Sequence, residues 1–383
     1  MSSLLWGTRR RQTRCQIPAQ VSLHVRTIAS IATLVMTLPL TLARGQSWPE
    51  WRLTPDLRVD GETNDLSAIT FVQVGRTGAI AIGQEQDAQV LLFSATGQRL
   101  ASTGRSGSGP GEFRQIFFRA GWLGDSLWVF DRGLYRLSIL SPAGRVIRTF
   151  RIPSAFDQSR YLLKTRVLQP FFGWVGAGDT LFYSALRYDA DSVLHHLLMR
   201  GSTAGALRGI VAEYTTRPDC AWVSSAGFCA EPKWAASPTG ERFAIVTSSA
   251  PQQRRGAFTA TMASARGDTL FSREYLVATD RIAPSDIASR TLDPRELPAV
   301  RAFERFEPMT DVIIGRDSAL WIGRDGHAGR TYVVIDGSGN TIGSVHFAKK
   351  VRVMASDRTH VWTVEEDQTG LQSVVRYRVE RPR

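Results

Sequence analysis

The sequence predicts an all-β fold assembled from six copies of one four-stranded unit, and three observations carry that prediction. First, a turn followed by a short apolar strand recurs at Ala79–Ile82, Ser126–Val129, Thr180–Tyr183, Arg242–Ile245, Ala319–Ile322 and His360–Thr363. The second position is always apolar (Ile80, Leu127, Leu181, Phe243, Leu320, Val361), and the third is aromatic at Trp128, Phe182, Trp321 and Trp362. Second, each copy carries a further strand downstream, and five copies continue through a Gly-containing turn into another. Third, a glycine-rich loop, Gly104–Phe113, separates the first two copies.

The copies start 47, 54, 62, 77 and 41 residues apart. Their third strands are Val90–Phe93, Leu137–Leu140, Leu197–Arg200, Ala257–Met262, Tyr332–Ile335 and Val374–Tyr377. The fourth strands are Arg99–Thr103, Val146–Ile152, Leu207–Ala212, Leu270–Leu276 and Thr341–Phe347. Four short strands in a unit of about 40–50 residues mark a propeller blade, so six units make a six-bladed β-propeller.

Taken in chain order, residues 1–45 read as an export signal. Six arginines and no acid precede residue 46, and the apolar run Thr27–Ala43 follows most of them. Ala43-Arg44-Gly45 puts small residues where a signal peptidase reads them, leaving Gln46 first in the mature chain. The rival reading is a retained anchor, for which the run is at the short limit of a membrane span and is interrupted by Pro39. Of the net charge of +12, six units belong to this segment. The remaining arginines are scattered, which argues against a nucleic-acid partner.

Trp51–Val59 is a lone strand before the first unit, and the sixth unit ends without a fourth strand. Pairing the two would close the ring with an N-terminal strand and remove an exposed edge. In Gly104–Phe113, four glycines and Pro110 exclude a helix or strand interior, and Phe113 reads as an apolar anchor. Glu112 reads as an acceptor for backbone N–H groups of that turn. Cys220 and Cys229 flank Gly227 and, after export, are plausible disulfide partners, with free thiols as the alternative. Segments 153–166 and 215–232 read as loops. Ser285–Phe306 reads as a helical insertion between blades 4 and 5, with Ser285 capping a helix and Asp293-Pro294 starting a second.

The stretch Gly107-Ser-Gly-Pro-Gly-Glu-Phe113 resembles that of bacterial six-bladed β-propeller proteins related to NHL-repeat domains. So does the ending Glu366-Asp-Gln-Thr-Gly-Leu371 with Val374-Val-Arg-Tyr-Arg378. The resemblance spans roughly residues 48–380. It implies an exported propeller, periplasmic or extracellular, mostly without an assigned activity.

The inner strand of each blade should line the central channel. Counting nine and eight residues back from each aligned strand gives Thr70, Phe117, Phe171, Lys233, Thr310 and Val351, then Phe71, Phe118, Phe172, Trp234, Asp311 and Arg352. The charged members, with Arg119 one position later, make Arg119, Lys233, Asp311 and Arg352 the candidate ligand-binding set. The alternative is that they pair with each other, as Asp311–Arg352 or Asp311–Lys233. Catalytic and metal constellations are poor. Adjacent His195 and His196 point to opposite strand faces, His327 lies in a loop, and no nucleophile elbow, zinc-protease helix or phosphate loop occurs.

The reading is a non-catalytic binding module for a protein, peptide or carbohydrate ligand, with no cofactor implied and calcium the one ion left open. The alternative is a metal-dependent hydrolase or lyase of the lactonase type. That enzyme would need Glu62, Asn64, Asp65 or His327 to join Asp311 around an axial ion.

Overall fold

In the computed structural model the chain is described over residues 48–152, 166–167, 171–176, 178–188, 194–215, 232–249, 255–288, 300, 303–349 and 351–382. The expected signal segment, Cys220, Cys229, and the residues Leu292, Asp293, Pro294 and Leu297 of the expected insertion lie outside the described residues.

The fold is all-β and propeller-like. After β1 (Glu50–Val59), one sheet holds β2 (Ile69–Val74), β3 (Ile80–Gln84), β4 (Gln89–Phe93) and β5 (Arg99–Thr103) in that order. The next holds β6 (Ile116–Leu123), β7 (Ser126–Asp131), β8 (Arg136–Leu140) and β9 (Val146–Arg151). A five-stranded sheet follows. In it β10 (Arg166–Val167) and β11 (Phe171–Val175) both pair with β12 (Thr180–Tyr188), which continues to β13 (Leu194–Ser202) and β14 (Leu207–Thr215). A four-stranded sheet comprises β15 (Lys233–Ala236), β16 (Arg242–Ser248), β17 (Arg255–Ser264) and β18 (Thr269–Ala278).

Beyond the five-residue helix α1 (Pro284–Ala288) come β19 (Asp311–Ile314), β20 (Leu320–Gly326), β21 (Gly329–Ile335) and β22 (Thr341–Phe347). Then follow β23 (Arg352–Ser356), β24 (His360–Glu366) and β25 (Gln372–Glu380). These seven strands and β1 form one eight-stranded sheet, β19-β20-β21-β22-β1-β25-β24-β23. Each strand of the recurring motif falls where the sequence puts it, as β3, β7, β12, β16, β20 or β24.

The repeat has a physical origin. The second strand of each unit is sandwiched between neighbouring sheets, so it is apolar on both faces instead of alternating. β3 is buried throughout, whereas the outermost β5 and β9 are largely exposed. The cores lie between sheets. Phe71, Val90 and Leu92 meet Phe113, Trp122 and Leu127, while Ala355, Trp362 and Val364 pack back onto Val72, Ile80 and Ile82. The circuit of sheets thus returns to its start.

The third-to-fourth-strand hairpins share one turn. Ser94, Ser141, Ser202, Ser264 and Asp336 each accept the backbone N–H of a glycine three residues on: Gly97, Gly144, Gly205, Gly267 and Gly339. All five glycines have positive φ, 77° to 101°. In the same five hairpins the ladder register shifts next to the turn. This is a type I turn followed by a left-handed residue at a bulge, which is why glycine recurs there.

β1 pairs antiparallel with β25 and adds two parallel pairs to β22. Its register shifts between Pro55 and Leu57, where proline's missing donor does least harm. Trp51 lies over Gly343 and edge-on to Trp321, with ring centroids 6.2 Å apart. Asp56 accepts from Arg376 Nε at 2.8 Å.

One expectation of the local structure needs correction. Ser285 does not cap α1: Pro284 is its first residue, and Asp286 Oδ2 accepts the N–H of Ala283 at 2.8 Å. The Glu112 carboxylate accepts a backbone N–H of its turn, that of Gly109 at 2.8 Å, as the sequence suggests. Arg105, in the same loop, pairs with it at 2.7 Å, while Arg136 donates to the carbonyls of Ser108, Gly109 and Glu112. Phe113 is the anchor expected of it, with no exposed surface.

Candidate functional site

β2, β6, β11, β15, β19 and β23, the first strands of their units, each contribute to one cavity of about 130 Å³. Gln73, Arg119, Trp174, Trp234, Ile313 and Met354 represent the six strands. A wider recess of about 500 Å³ opens beside it, lined by Val74, Trp122, Thr239 and Arg316, and Pro238 lines both.

Of the cavity-lining side chains only Arg119 carries a charge. Its guanidinium lies 4.5 Å from the centre of the Trp234 ring, a cation–π distance. Trp234 in turn sits 4.8 Å, centroid to centroid, from Trp174, which stacks on Phe182 at 4.4 Å. Burial alone pushes the Arg119 pKa down to about 10, so it stays protonated at neutral pH. Among the described residues no side chain or carbonyl hydrogen-bonds it and no acid pairs with it. Trp174 Nε1 is likewise buried without a partner.

A bulge explains why Arg119 faces inward. The β6 ladder shifts register between Ile116 and Ala120, where positions 117, 118 and 119 stand opposite Phe130 alone, so β6 carries two extra residues and strict alternation is broken at Arg119. The other strands do not present one alternating face either: Gly173 with Trp174, Ile313 with Ile314, Met354 with Ala355 and the run Trp234–Pro238 all border the cavity. Counting six positions back from the aligned strands, instead of eight, gives Gln73, Ala120, Trp174, Ala236, Ile313 and Met354, and all six line the cavity. Sequence reasoning missed Gln73, Trp174 and Met354 because it looked for charged side chains and stopped two residues earlier in each strand.

The remaining candidates lie elsewhere. Asp311, first in β19, accepts from Tyr332 Oη at 2.7 Å and from the Val312 N–H at 2.9 Å. Neither expected ion pair, Asp311–Arg352 or Asp311–Lys233, forms. Arg352 donates to the Ile69 carbonyl at 2.6 Å and borders a separate recess of about 340 Å³ with Lys349, Glu365 and Glu366. Burial lowers its pKa, offset in part by Glu366 and Asp311. Lys233 is half-buried at the start of β15 and does not line the Arg119 cavity.

The histidines take individual partners. His195 Nδ1 lies 2.7 Å from Glu213, and His196 stacks on Tyr214. His327 Nδ1 lies 2.9 Å from Asp286, joining the β20–β21 turn to α1. Asn64 donates to the Asp60 carbonyl and Asp65 accepts from Gln84 through its own carbonyl. Among the described residues no three His, Cys, Asp or Glu side chains gather into a metal-holding group.

No family model matches the chain, and no curated protein matches it. Solved structures similar in course include a member of the DUF4221 family from Bacteroides vulgatus, with 11% identity over 88% of this chain and 100% of that one, TM-score 0.47. A catalytically inactive virginiamycin B lyase from Staphylococcus aureus shares 10% identity over 86% and 99%, TM-score 0.40. The calcium-binding protein regucalcin from Agrobacterium tumefaciens shares 10% over 86% and 96%, TM-score 0.38.

Proposed function

We propose that the protein is an exported, non-catalytic six-bladed β-propeller of the NHL-like kind that binds a ligand in its axial cavity. The eight-stranded sheet then counts as two blades, β19–β22 and β23–β25 completed by β1, joined through the two parallel pairs of β1 with β22. Six first strands around one cavity support that count.

The observation that carries the binding reading is Arg119. A half-buried cation without an acid costs folding free energy, and a protein keeps such a group where a ligand uses it. Binding, not chemistry, suits the walls. The one hydroxyl among the cavity-lining side chains, Ser237 Oγ, is taken by the N–H groups of Glu241 and Arg242. Export is supported by the basic segment and apolar run before residue 46, and none of the described residues forms a helix long and apolar enough to cross a membrane. Channel roles for Lys233, Asp311 and Arg352, and a Cys220–Cys229 disulfide, remain part of the proposal.

Elemental analysis and thermal melts with and without EDTA test the reading. It predicts no stoichiometric metal and an unchanged melting temperature. Bound calcium or zinc, with a melt that falls on chelation, would contradict it in favour of a metal-dependent hydrolase or lyase.

A further inference from the structure

We propose that the axial cavity takes a small organic monoanion: a carboxylate whose head meets Arg119 and whose short apolar or aromatic body lies among Trp174, Trp234 and Ile313. The proposal rests on the ligand-binding reading above and names the class of ligand.

Three properties of the cavity select this class. The first is charge. One guanidinium faces the space and no acid faces it, so a single negative charge restores neutrality. The guanidinium carbon lies over the Trp234 ring, 4.5 Å from its centre, and the guanidinium's fork of N–H donors matches the two oxygens of a carboxylate. The second is size. A cavity of about 130 Å³ is close to the ~150 Å³ space that accepts one benzene molecule. A folded peptide or an oligosaccharide exceeds it.

The third is the shortage of polar groups. Apart from Arg119, the side-chain polar groups of the lining are the Gln73 amide, the indole N–H groups of Trp128, Trp174 and Trp234, and the Ser237 hydroxyl, which already accepts from the Glu241 and Arg242 N–H groups. Ile313, Met354, Ala236 and the indole faces make up the rest of the wall. A sugar with many hydroxyls, or a strongly hydrated phosphate dianion, would leave most of its polar atoms unsatisfied there. A wider recess lies next to it, with Pro238 in the lining of both.

The test is isothermal titration of the full protein at pH 7 with benzoate, butyrate, benzamide and inorganic phosphate, using wild type, Arg119→Met and Arg119→Lys. Benzoate or butyrate should bind wild type at least tenfold more tightly than benzamide or phosphate. Arg119→Met should lose at least tenfold in carboxylate affinity, and Arg119→Lys, which keeps the charge without the fork, should lose several-fold. If Arg119→Met does not fold, the benzoate-to-benzamide ratio on wild type reads the same charge requirement. Benzamide binding as tightly as benzoate, with Arg119→Met unaffected, would overturn the monoanion while leaving the cavity a binding site. Phosphate binding in place of the carboxylates would also overturn it. Failure of all four probes at millimolar concentration would remove both the monoanion and the axial site.

Discussion

Arg119 and Phe113 sit in neighbouring cores and do opposite work. Phe113 has no exposed surface and packs with Val90, Leu92 and Leu127. Phe113→Ala should cost about 3–5 kcal/mol in urea unfolding, the usual range for deleting a buried ring. Arg119 contributes one cation–π contact and bears a desolvation cost. Arg119→Met should therefore leave unliganded stability within about 1 kcal/mol of wild type. A loss near that of Phe113→Ala would make Arg119 a structural residue. The contrast was half legible in the sequence. Phe113 follows from its place after a glycine turn, but the inward turn of Arg119 depends on a bulge, which no local pattern announced.

At the scale of elements, the turns carry the fold's local demands. Gly104 has φ +111°, and a Cβ there would overlap the Ala88 carbonyl oxygen and meet the Phe113 ring. Gly124 has φ +59° with open space around it. Gly124→Ala should cost about 1 kcal/mol for the left-handed backbone alone, and Gly104→Ala distinctly more. Comparing the two in urea melts separates conformational strain from steric overlap.

The same turns set the acid limit. Hydrogen bonds from the Thr369 hydroxyl and the Leu371 N–H hold the Asp367 carboxyl below its ordinary range. The Gly109 N–H and then Arg105 do this for Glu112. A carboxyl with a lowered folded pKa adds stability that is whole above its ordinary pKa, about 4, and lost as pH falls through the folded value. Urea midpoints should therefore stay level from pH 7 to 5 and drop below about pH 4. Asp367→Asn and Glu112→Gln should start lower and flatten that drop. Strand positions were readable because each second strand is apolar on both faces; the Ser or Asp three residues before each turn glycine is an equally regular signal. The cap of α1 was misplaced because Pro284 starts the helix and Asp286, not Ser285, satisfies the freed N–H.

For the whole molecule, closure rests on β1. It pairs with β25 along its length, docks Trp51 against Trp321, and spans the gap between two sets of strands. Removing residues 46–59 should expose the β25 edge, abolish a single cooperative melt and promote association through strand pairing. Retention of a monomeric, cooperative protein would show that closure lies elsewhere. The lone Trp51–Val59 strand and the incomplete sixth unit made this pairing legible. The cavity was less so, since it exists only when six distant strands converge and its defining residues are mostly apolar.

The most direct test of the central claim is a crystal structure of the protein. The account predicts six blades, with Arg119 at the axial cavity, over the Trp234 ring and facing no protein carboxylate. An acid from any part of the chain paired with Arg119, or a strand count other than six around the axis, would contradict it.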